Sequence, residues 1–495
     1  PRAERPLRGR AWTVDAAFPG IGRGAARVAG GARLPVAADT TLDGTVSGEL
    51  NASGAGAALR LASGRFDLGG LSVASADGAL ASEALSVGGR LRLAASRDGH
   101  WEFELGLRSA AGQLYVEPWF LDLGTHPVEA EAAGRLAADL RSAELARFTV
   151  VQAGIGRSAG RGSLDLGEGL RIGALALELA DVDLATAVPV YLQPPLVSTA
   201  FRELAASGRL RGEIELAAGL PSRVVLDLED VALSSATGGI AVEGLEGHVS
   251  WHDDATRDAL APTTDSAVFK SLLGWRAMTL WGLEVGAAEL PFTTTGRHFR
   301  LLEPAFIPVF DGGVAFDNVR IRHAGTPRMY VRFGAEVRPI SVARLGRALG
   351  WPEFSGSLSG RIPRLELADG SVTLGGNLEA SVFDGRVTVR DLRLRDPLGP
   401  FPRLQASVDV DRLDLRYLTD TFEFGLITGR LSGRIEDLEL FDWTPLRFDA
   451  RFRSTPGDRS PRRISQRAVA NLSRIGGGSG GSVAAALQSG FLRFF

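Results

Sequence analysis

Two stretches of the sequence have the glycine spacing of a dinucleotide-binding turn. Residues 20–25 and 154–159 both read G-x-G-x-x-A. A cofactor site of this kind needs a helix directly after the turn, because the pyrophosphate binds at the helix N-terminus. The second match instead runs into residues 160–166, which have the pattern of a turn and a strand, and the first reaches Gly30 and Gly31 within a few residues. We therefore predict no nucleotide cofactor.

Two histidines have a spacing that can hold a metal ion on a helix. His248 and His252 are four residues apart, and Asp253 and Asp254 follow directly. The preceding residues 239–244 have the pattern of a strand and a turn, and on a continuing strand the two rings lie about 13 Å apart. Surface histidines at the start of a loop are the simpler interpretation, and we predict no metal site.

The remaining reactive groups lack the setting that their chemistry needs. Asp409, Asp411 and Asp414 alternate with apolar residues, as on the solvated face of a strand. The chain has no cysteine, and its one lysine, Lys270, is outside any P-loop pattern. Residues 477–481 match G-x-S-x-G only within a glycine run that no strand precedes. We therefore predict that the protein is not an enzyme.

The composition favours a fold rich in strands and turns. Glycine accounts for 62 of the 495 residues, whereas apolar residues at 45% and charged residues at 23% are ordinary for a globular protein. This excess predicts many tight turns between many short strands, because glycine weakens helices. The net charge is −3 and the arginines lack interleaved aromatic residues, so we predict no nucleic-acid partner. The start without Met and the hydrophobic end lead us to expect a piece of a longer protein.

Alternation of apolar and polar residues is the dominant pattern. Residues 101–105 alternate strictly, and Leu365 and Leu367 belong to a series of similar pairs near the C-terminus. Turn signals such as Asp369-Gly370 and Asp384-Gly385 separate these pairs, as in hairpins. The pattern predicts a mostly β fold: an elongated, repetitive antiparallel sheet with a few short helices, apolar on one face and wet on the other.

The apolar members of these C-terminal pairs are the candidates for a ligand-binding surface. They are Leu365, Leu367, Val372, Leu374, Val387, Val389, Leu392, Leu394, Val408, Val410, Leu413 and Leu415. Each of them also fits the ordinary core of a β protein, and the sequence does not assign which strand face lines a groove.

A short motif recurs along the chain. Residues 355–362 read SGSLSGRI and residues 428–435 read TGRLSGRI, 73 positions later. Residues 207–214 are a third copy, and residues 43–50 are a weaker fourth. The motif is either a common way to enter a strand in glycine-rich β proteins or a true repeat. Both interpretations predict repeated strand units.

Predicted helices mark the divisions of the chain. We expect helices at 342–349, at 199–206 after the Pro194-Pro195 step, and at 465–475 with Ser465 as its cap. They suggest an N-terminal segment 1–200, a middle segment 201–350 with an exposed loop near 253–265, and a C-terminal segment 351–495. The last segment ends in the short helix and a glycine-rich stretch.

A long sheet with one apolar face needs a cover for that face. If the sheet curls into an open trough, acyl chains are suitable ligands, since each buried CH₂ contributes roughly 0.8 kcal/mol. The alternative is a stack of β-sandwiches whose apolar faces cover one another. The sequence leaves both open.

The C-terminal part resembles the AsmA-like superfamily of Gram-negative envelope proteins, in particular its YdbH-type branch. The residues that carry the resemblance are 424–433, 442–450, 463–469 leading into 475–478, and the Trp351-Pro352 step. The specific part of the resemblance covers about residues 350–495, and the rest of the chain is similar only in its glycine-rich, alternating style.

This resemblance implies a bridge-like lipid transfer protein. Such a protein is anchored in the inner membrane, crosses the periplasm as a β-groove and passes phospholipid toward the outer membrane, without catalytic residues or cofactors. An outer-membrane or periplasmic protein partner is compatible with it. The family's older dicarboxylate-transport label has no support in the residues. The alternative is a structural envelope scaffold or outer-membrane assembly factor with a closed β core and protein partners.

Overall fold

The chain divides into two compact units in the computed structural model. The described residues are 11–21, 41–55, 58–167, 171–199, 201–235, 237, 239–254, 270–349, 356–396, 401–421, 424–442 and 444–476. The first unit consists of residues 1–238 and 245–264, and the second of residues 239–244 and 265–495. The division falls within strand β13, Ile240–His252. The predicted three-segment division stays a prediction, and most of the predicted loop at 253–265 and the glycine-rich stretch after 476 lie outside the described residues.

The first unit is an antiparallel meander. Its strands are β1 Ala11–Ile21, β2 Thr41–Ala55, β3 Ala58–Ala74, β4 Leu80–Ala95, β5 Trp101–Val116, β6 Trp119–Asp122, β7 Val128–Leu136, β8 Ser142–Gln152, β9 Gly156–Asp165, β10 Arg171–Asp183, β11 Ala205–Ala217 and β12 Leu220–Ser235. Each strand pairs with the next along the chain, except that β6 folds back on β5 and β5 then pairs with β7.

The second unit begins with short strands and continues with long ones. Its strands are the first residues of β13, then β14 Ser271–Trp275, β15 Ala277–Leu280, β16 Leu283–Val285, β17 Ala288–Thr295, β18 His298–Leu301, β19 Ala305–Val309, β20 Gly312–Arg322, β21 Tyr330–Ser341, β22 Ser357–Ala368, β23 Ser371–Gly375, β24 Leu378–Val382, β25 Gly385–Arg395, β26 Arg403–Asp414, β27 Arg430–Phe441 and β28 Thr444–Ser454. From β20 onward they form a second antiparallel meander, in which β23 and β24 both pair with β25.

The predicted fold class is confirmed: the protein is mostly β, antiparallel and repetitive, with a few short helices. The expectation of short strands is wrong for most of the chain, since β3 has 17 residues and β4 and β5 have 16. Glycine is abundant within these strands as well as at their turns. The excess therefore reflects close packing between strands in addition to chain reversal.

The recurring motif has one conformation in all four copies. Its first glycine lies in the left-handed region each time, with φ of 150° at Gly44, 100° at Gly208, 135° at Gly356 and 118° at Gly429. Side chains rarely adopt this conformation, so glycine is required there. The motif is therefore a repeated structural device: its first glycine lies at a register shift near the start of β2 and β11, and directly before β22 and β27.

The second glycine of the motif allows two strands to approach closely. A Cβ atom at Gly48, Gly212, Gly360 or Gly433 would lie under 3.0 Å from a carbonyl oxygen of the neighbouring strand, closer than real Cβ atoms come. These positions must lack a side chain for the ladder to keep its spacing.

Three of the four copies follow a helical connector within the described residues. Short helical turns at Leu184–Ala187, Val188–Leu192 and Gln193–Leu196 join β10 to β11. Helix Val342–Leu349 follows β21, and helix Leu415–Thr421 follows β26. Because β21 and β26 run in the same direction through the antiparallel ladder, the last two helices lie at the same rim of the second unit.

The predicted helices at 342–349 and 465–475 are confirmed. The second is Gln466–Gly476, and the Ser465 hydroxyl accepts a hydrogen bond from the Ala468 N–H. The predicted helix at 199–206 is wrong, because β11 begins at Ala205 and the helical turns come earlier. The Pro194-Pro195 step does not break the helical turns, because both prolines lie in the first turn of Gln193–Leu196, where a backbone N–H has no partner within the helix.

The fully buried core lies where the helical connectors meet the sheet. In the first unit Leu184 and Val188 of the connector pack on Val231 of β12, and Val188 and Val231 are only 1% exposed. In the second unit Leu418 of helix Leu415–Thr421 packs against the cluster around Leu413. The helical connectors therefore cover apolar side chains at the end of the strands where the connectors lie.

The second motif glycine provides a stability test. We expect Gly212→Ala and Gly360→Ala each to lower the free energy of unfolding by about 1–3 kcal/mol, because the added methyl group forces two strands apart. Urea denaturation followed by circular dichroism measures this. Gly88→Ala is the matched control, since its Cβ would meet only the Asp67 carboxylate, at 3.2 Å. An equal loss at Gly88 would contradict the close-packing account.

Candidate functional site

A continuous row of uncharged residues crosses the sheet of the first unit. Each residue in the row is the direct cross-strand partner of the next, from β2 to β12. The row is Leu50, Gly64, Leu91, Leu105, Ala132, Phe148, Gly160, Leu177, Ile214 and Val224. Nine spacings of ~4.8 Å make it about 43 Å long. We call the sheet surface that contains this row the apolar face of the first unit.

The opposite face of the same strands is charged. The residues one position along the chain form the row Glu49, Arg65, Arg90, Gly106, Glu131, Thr149, Ala159, Glu178, Glu213 and Val225. Arg90 reaches across Gly106 to Glu131, with 2.5 Å between Nη2 and Oε1. Both side chains are about 70% exposed, so the pair adds little stability.

Side chains of both signs are mixed in a hollow of the charged face. This hollow of about 680 Å³ is lined by four arginines and three glutamates. Neighbouring side chains of opposite charge compensate one another there. This face is therefore a solvated surface, and the difference in chemistry between the two faces follows the period-2 alternation of the sequence.

The apolar face is open in the described part of the first unit. Leu50 is 43% exposed, and the other nine residues of the row are half-buried. A second layer packed on this face would bury such side chains almost completely, as it does for Val231. The row instead has the exposure of a surface that is covered only by its own neighbours.

Glycines make the apolar face smooth. A Cβ at Gly89 would lie under 3.0 Å from the Phe66 ring, and one at Gly160 would lie 2.9 Å from Cζ of Phe148. Each ring thus reaches over the glycine of the next strand. A hollow of about 280 Å³ on this face, between β2 and β4, is lined in part by Leu50, Phe66 and Leu91.

The second unit has a similar row, which includes three of the predicted residues. Leu367, Val372 and Leu394 are successive cross-strand neighbours within it. The full row is Phe299, Ile321, Val331, Leu367, Val372, Leu394, Leu404 and Leu440, all half-buried. We call this surface the apolar face of the second unit.

Most of the other predicted residues also lie on this apolar face. Three direct cross-strand pairs connect them: Leu365 with Leu374, Val389 with Val408, and Val387 with Val410. Leu413 pairs with Leu431, which was not predicted. Leu392 lies at the bulge where the register of β25 shifts.

Four predicted residues differ from the rest in their setting. Leu374, Val410 and Leu413 are 9%, 9% and 6% exposed, so they belong to the buried core. Leu415 is the first residue of helix Leu415–Thr421 and does not lie on a strand. The eight half-buried strand residues are the ones that an apolar ligand can contact.

The polar side of β22 carries an ion pair next to the predicted residues. Nε of Arg364 lies 2.9 Å and the hydroxyl of Tyr330 lies 2.8 Å from the Glu366 carboxylate. These two hydrogen bonds hold the pKa of the Glu366 carboxyl below its ordinary value. The charge of Glu366 is thus fixed on the face opposite to that of Leu365 and Leu367.

In one stretch of the second unit the apolar side chains are buried. The short strands between residues 240 and 305 carry six buried apolar side chains: Val242, Trp275, Val285, Phe292, Leu301 and Ala305. The Trp275 indole N–H donates to the carbonyl of Gly286 at 2.9 Å. The predicted alternative of a closed β core therefore fits this stretch, whereas the open face fits the long strands.

The sequence motifs are placed as follows. Gly154 and Ile155 lie in the turn from β8 to β9, and residues 156–159 are the first of strand β9, so no helix follows the turn. His248 and His252 both lie on β13; Nδ1 of His248 is 2.8 Å from Oδ1 of Asp227. The interpretation of His252 as a surface residue is wrong, since it is 2% exposed. Within the ranges that the structure describes, no group of three potential metal ligands occurs.

Comparison of the chain with protein-family models, curated proteins and solved structures finds no match. The resemblance to the AsmA-like superfamily therefore stays a prediction. Among the described residues, none of the helices combines the length and apolar character needed to cross a bilayer.

Thiol labelling tests whether the apolar face is open. The chain has no cysteine, so Leu105→Cys and Leu413→Cys each introduce a single thiol. In detergent-washed protein we expect maleimide to label Leu105→Cys at least about tenfold faster, because a buried site reacts only after local opening. Both variants should react equally in urea. Equal protection of the two thiols in the folded protein would contradict an open face.

Proposed function

We propose that the protein binds phospholipid acyl chains along its apolar sheet faces and transfers phospholipid between membranes without covalent chemistry. The observation that carries this proposal is the uncharged row from Leu50 to Val224, which crosses ten strands and stays half-buried. A surface of this length and composition needs an apolar ligand or partner, since exposed apolar patches of this size are rare on soluble monomers.

The dimensions of the face suit acyl chains. One leaflet of a bilayer core is about 15 Å thick, half of the ~30 Å hydrocarbon layer. The row of about 43 Å therefore accommodates chains side by side. Each CH₂ removed from water contributes roughly 0.8 kcal/mol, so a single acyl chain gains enough to remain bound.

The uniform character of the face favours movement of lipid along it. Neighbouring strands present similar Leu, Ala, Gly and Phe side chains, so successive positions of an acyl chain have similar free energies. The rings of Phe66 and Phe148 reach over glycines, where another side chain would block them. Such a surface supports sliding better than one deep pocket, which holds its ligand in place.

The resemblance stated above supports the same function and adds a location. It implies a protein that is anchored to the inner membrane, crosses the periplasm and passes phospholipid toward the outer membrane. We therefore also propose that the protein acts in the periplasm, anchored to the inner membrane. A periplasmic or outer-membrane protein partner at one end is compatible with it.

The second candidate is a structural scaffold of the envelope with a closed core. The six buried side chains between Val242 and Ala305 favour it for that stretch of the second unit. It does not account for the half-buried row in the first unit. The two candidates differ in whether lipid accompanies the purified protein.

Lipid extraction with a matched pair of variants tests the proposal. Ala132 and Ala133 are neighbours on β7, both half-buried, with Ala132 on the apolar face and Ala133 on the charged face. We expect phospholipid in extracts of wild-type protein and of Ala133→Glu, and roughly tenfold less in Ala132→Glu, because a carboxylate among acyl chains loses its hydration. Mass spectrometry of the extracts measures this.

The contrary results are equally specific. Two results together would exclude the proposal. Extracts of the wild-type protein would contain no phospholipid, and Ala132→Glu would transfer lipid between vesicles as fast as the wild type. A large fall in the melting temperature of Ala132→Glu in lipid-free protein, with none for Ala133→Glu, would favour the closed core.

A further inference from the structure

The end of the second unit is strongly basic. Residues 444–476 contain eight arginines and two aspartates, a net charge of +6 in a chain whose total charge is −3. The arginines are Arg447, Arg451, Arg453, Arg459, Arg462, Arg463, Arg467 and Arg474. The rest of the chain is therefore acidic, and this asymmetry favours a negatively charged partner.

These residues form one continuous outer edge. After β28, the chain stays paired to the start of β27 and to the residues before it: the Thr455 N–H donates to the Arg430 carbonyl, and the Ser465 N–H donates to the Leu426 carbonyl. Helix Gln466–Gly476 follows, with Ala468 fully buried and the Asn471 side chain bonded to the Phe424 carbonyl. We call residues 444–476 the basic edge.

The arginines of the basic edge face solvent. The seven from Arg447 to Arg467 are exposed. Arg451 pairs with Asp449 at 2.8 Å and Arg447 approaches Asp437 at 3.9 Å. Asp458 accepts hydrogen bonds from Ser460, which lower the pKa of its carboxyl most, and from the Arg430 N–H. The net positive charge is thus displayed outward.

Apolar side chains are exposed along the same edge. Leu446 is 63% exposed, Phe452 49%, Ile464 50% and Val469 46%. On β28, Phe452 lies on the apolar face opposite Gly433, whereas Arg451 and Arg453 lie on the charged face. A single-strand nucleic-acid platform combines stacking rings with the basic groove that follows the backbone. Here the rings and the arginines are on different faces.

We propose that the basic edge docks onto the surface of an anionic phospholipid bilayer. The edge approaches the bilayer edge-on, so both faces of β28 reach its surface: the arginines of one face are attracted to the anionic headgroups, and the exposed apolar side chains of the other enter the boundary between headgroups and acyl chains. Docking in this orientation brings the apolar face of the second unit, which includes Phe452, next to the bilayer. The charge of the edge carries this inference independently of acyl-chain binding to the sheet.

Vesicle sedimentation of the full chain tests this docking. We compare vesicles of phosphatidylcholine alone with vesicles in which one third of the lipid is phosphatidylglycerol. The test variant carries Arg453→Gln, Arg459→Gln and Arg463→Gln; the control carries Arg386→Gln, Arg393→Gln and Arg395→Gln, three exposed arginines of β25. We expect binding only to anionic vesicles, and about 100-fold weaker binding of the test variant, from about fivefold per arginine. The control variant should bind like the wild type.

Several results would overturn the proposal. They are equal binding to both kinds of vesicle, equal loss in the two triple variants, or tight binding to a DNA oligonucleotide without binding to anionic vesicles. A second readout is Val469→Cys carrying an environment-sensitive fluorophore, whose emission should shift to the blue only with anionic vesicles. The test variant should keep the phospholipid that co-purifies with it, so a failure of docking is distinguishable from a failure of acyl-chain binding.

Discussion

A leucine on the face of a β-sheet is stable in water only when other apolar groups cover it. In this protein the helical connectors cover the rim, where Val188 packs on Val231 and Leu418 packs near Leu413. Farther from the rim, the long rows that contain Leu105 in the first unit and Leu394 in the second stay half-buried. The long strands of each unit thus have a buried core next to the helical connectors and a half-buried face farther along, and the proposed function follows from that difference.

Glycine keeps this surface regular. The first motif glycines have a positive φ at equivalent places in or directly before β2, β11, β22 and β27, and the second ones let neighbouring strands approach closely. Other glycines receive the rings of Phe66 and Phe148. Without these positions, side chains would project from the face, and successive strands would present different surfaces. A repeated local device therefore produces a face of uniform chemistry across many strands.

Local sequence patterns predict much of the fold, but they predict less of the candidate apolar site. Period-2 alternation and turn signals predict the antiparallel strands, and the repeat predicts equivalent units. The burial of Val410 and Leu413 depends on their packing with Phe383 and with Leu418 of the helix that follows β26, so alternation alone could not separate them from Val389. The row in the first unit does not stand out as apolar alternation in the sequence, because small residues such as Ala132 and Gly160 occupy it. Their apolar role becomes apparent only from the strand register.

The central claim is that acyl chains contact one face of the sheet. Photocrosslinking with a phospholipid that carries a diazirine in its acyl chain, followed by peptide mass spectrometry, tests this claim directly on strand β5. The account predicts crosslinks at Phe103, Leu105 and Leu107, which alternate along the apolar face, and none at Glu102 or Glu104. Crosslinks distributed over both faces, or their absence from β5, would contradict it.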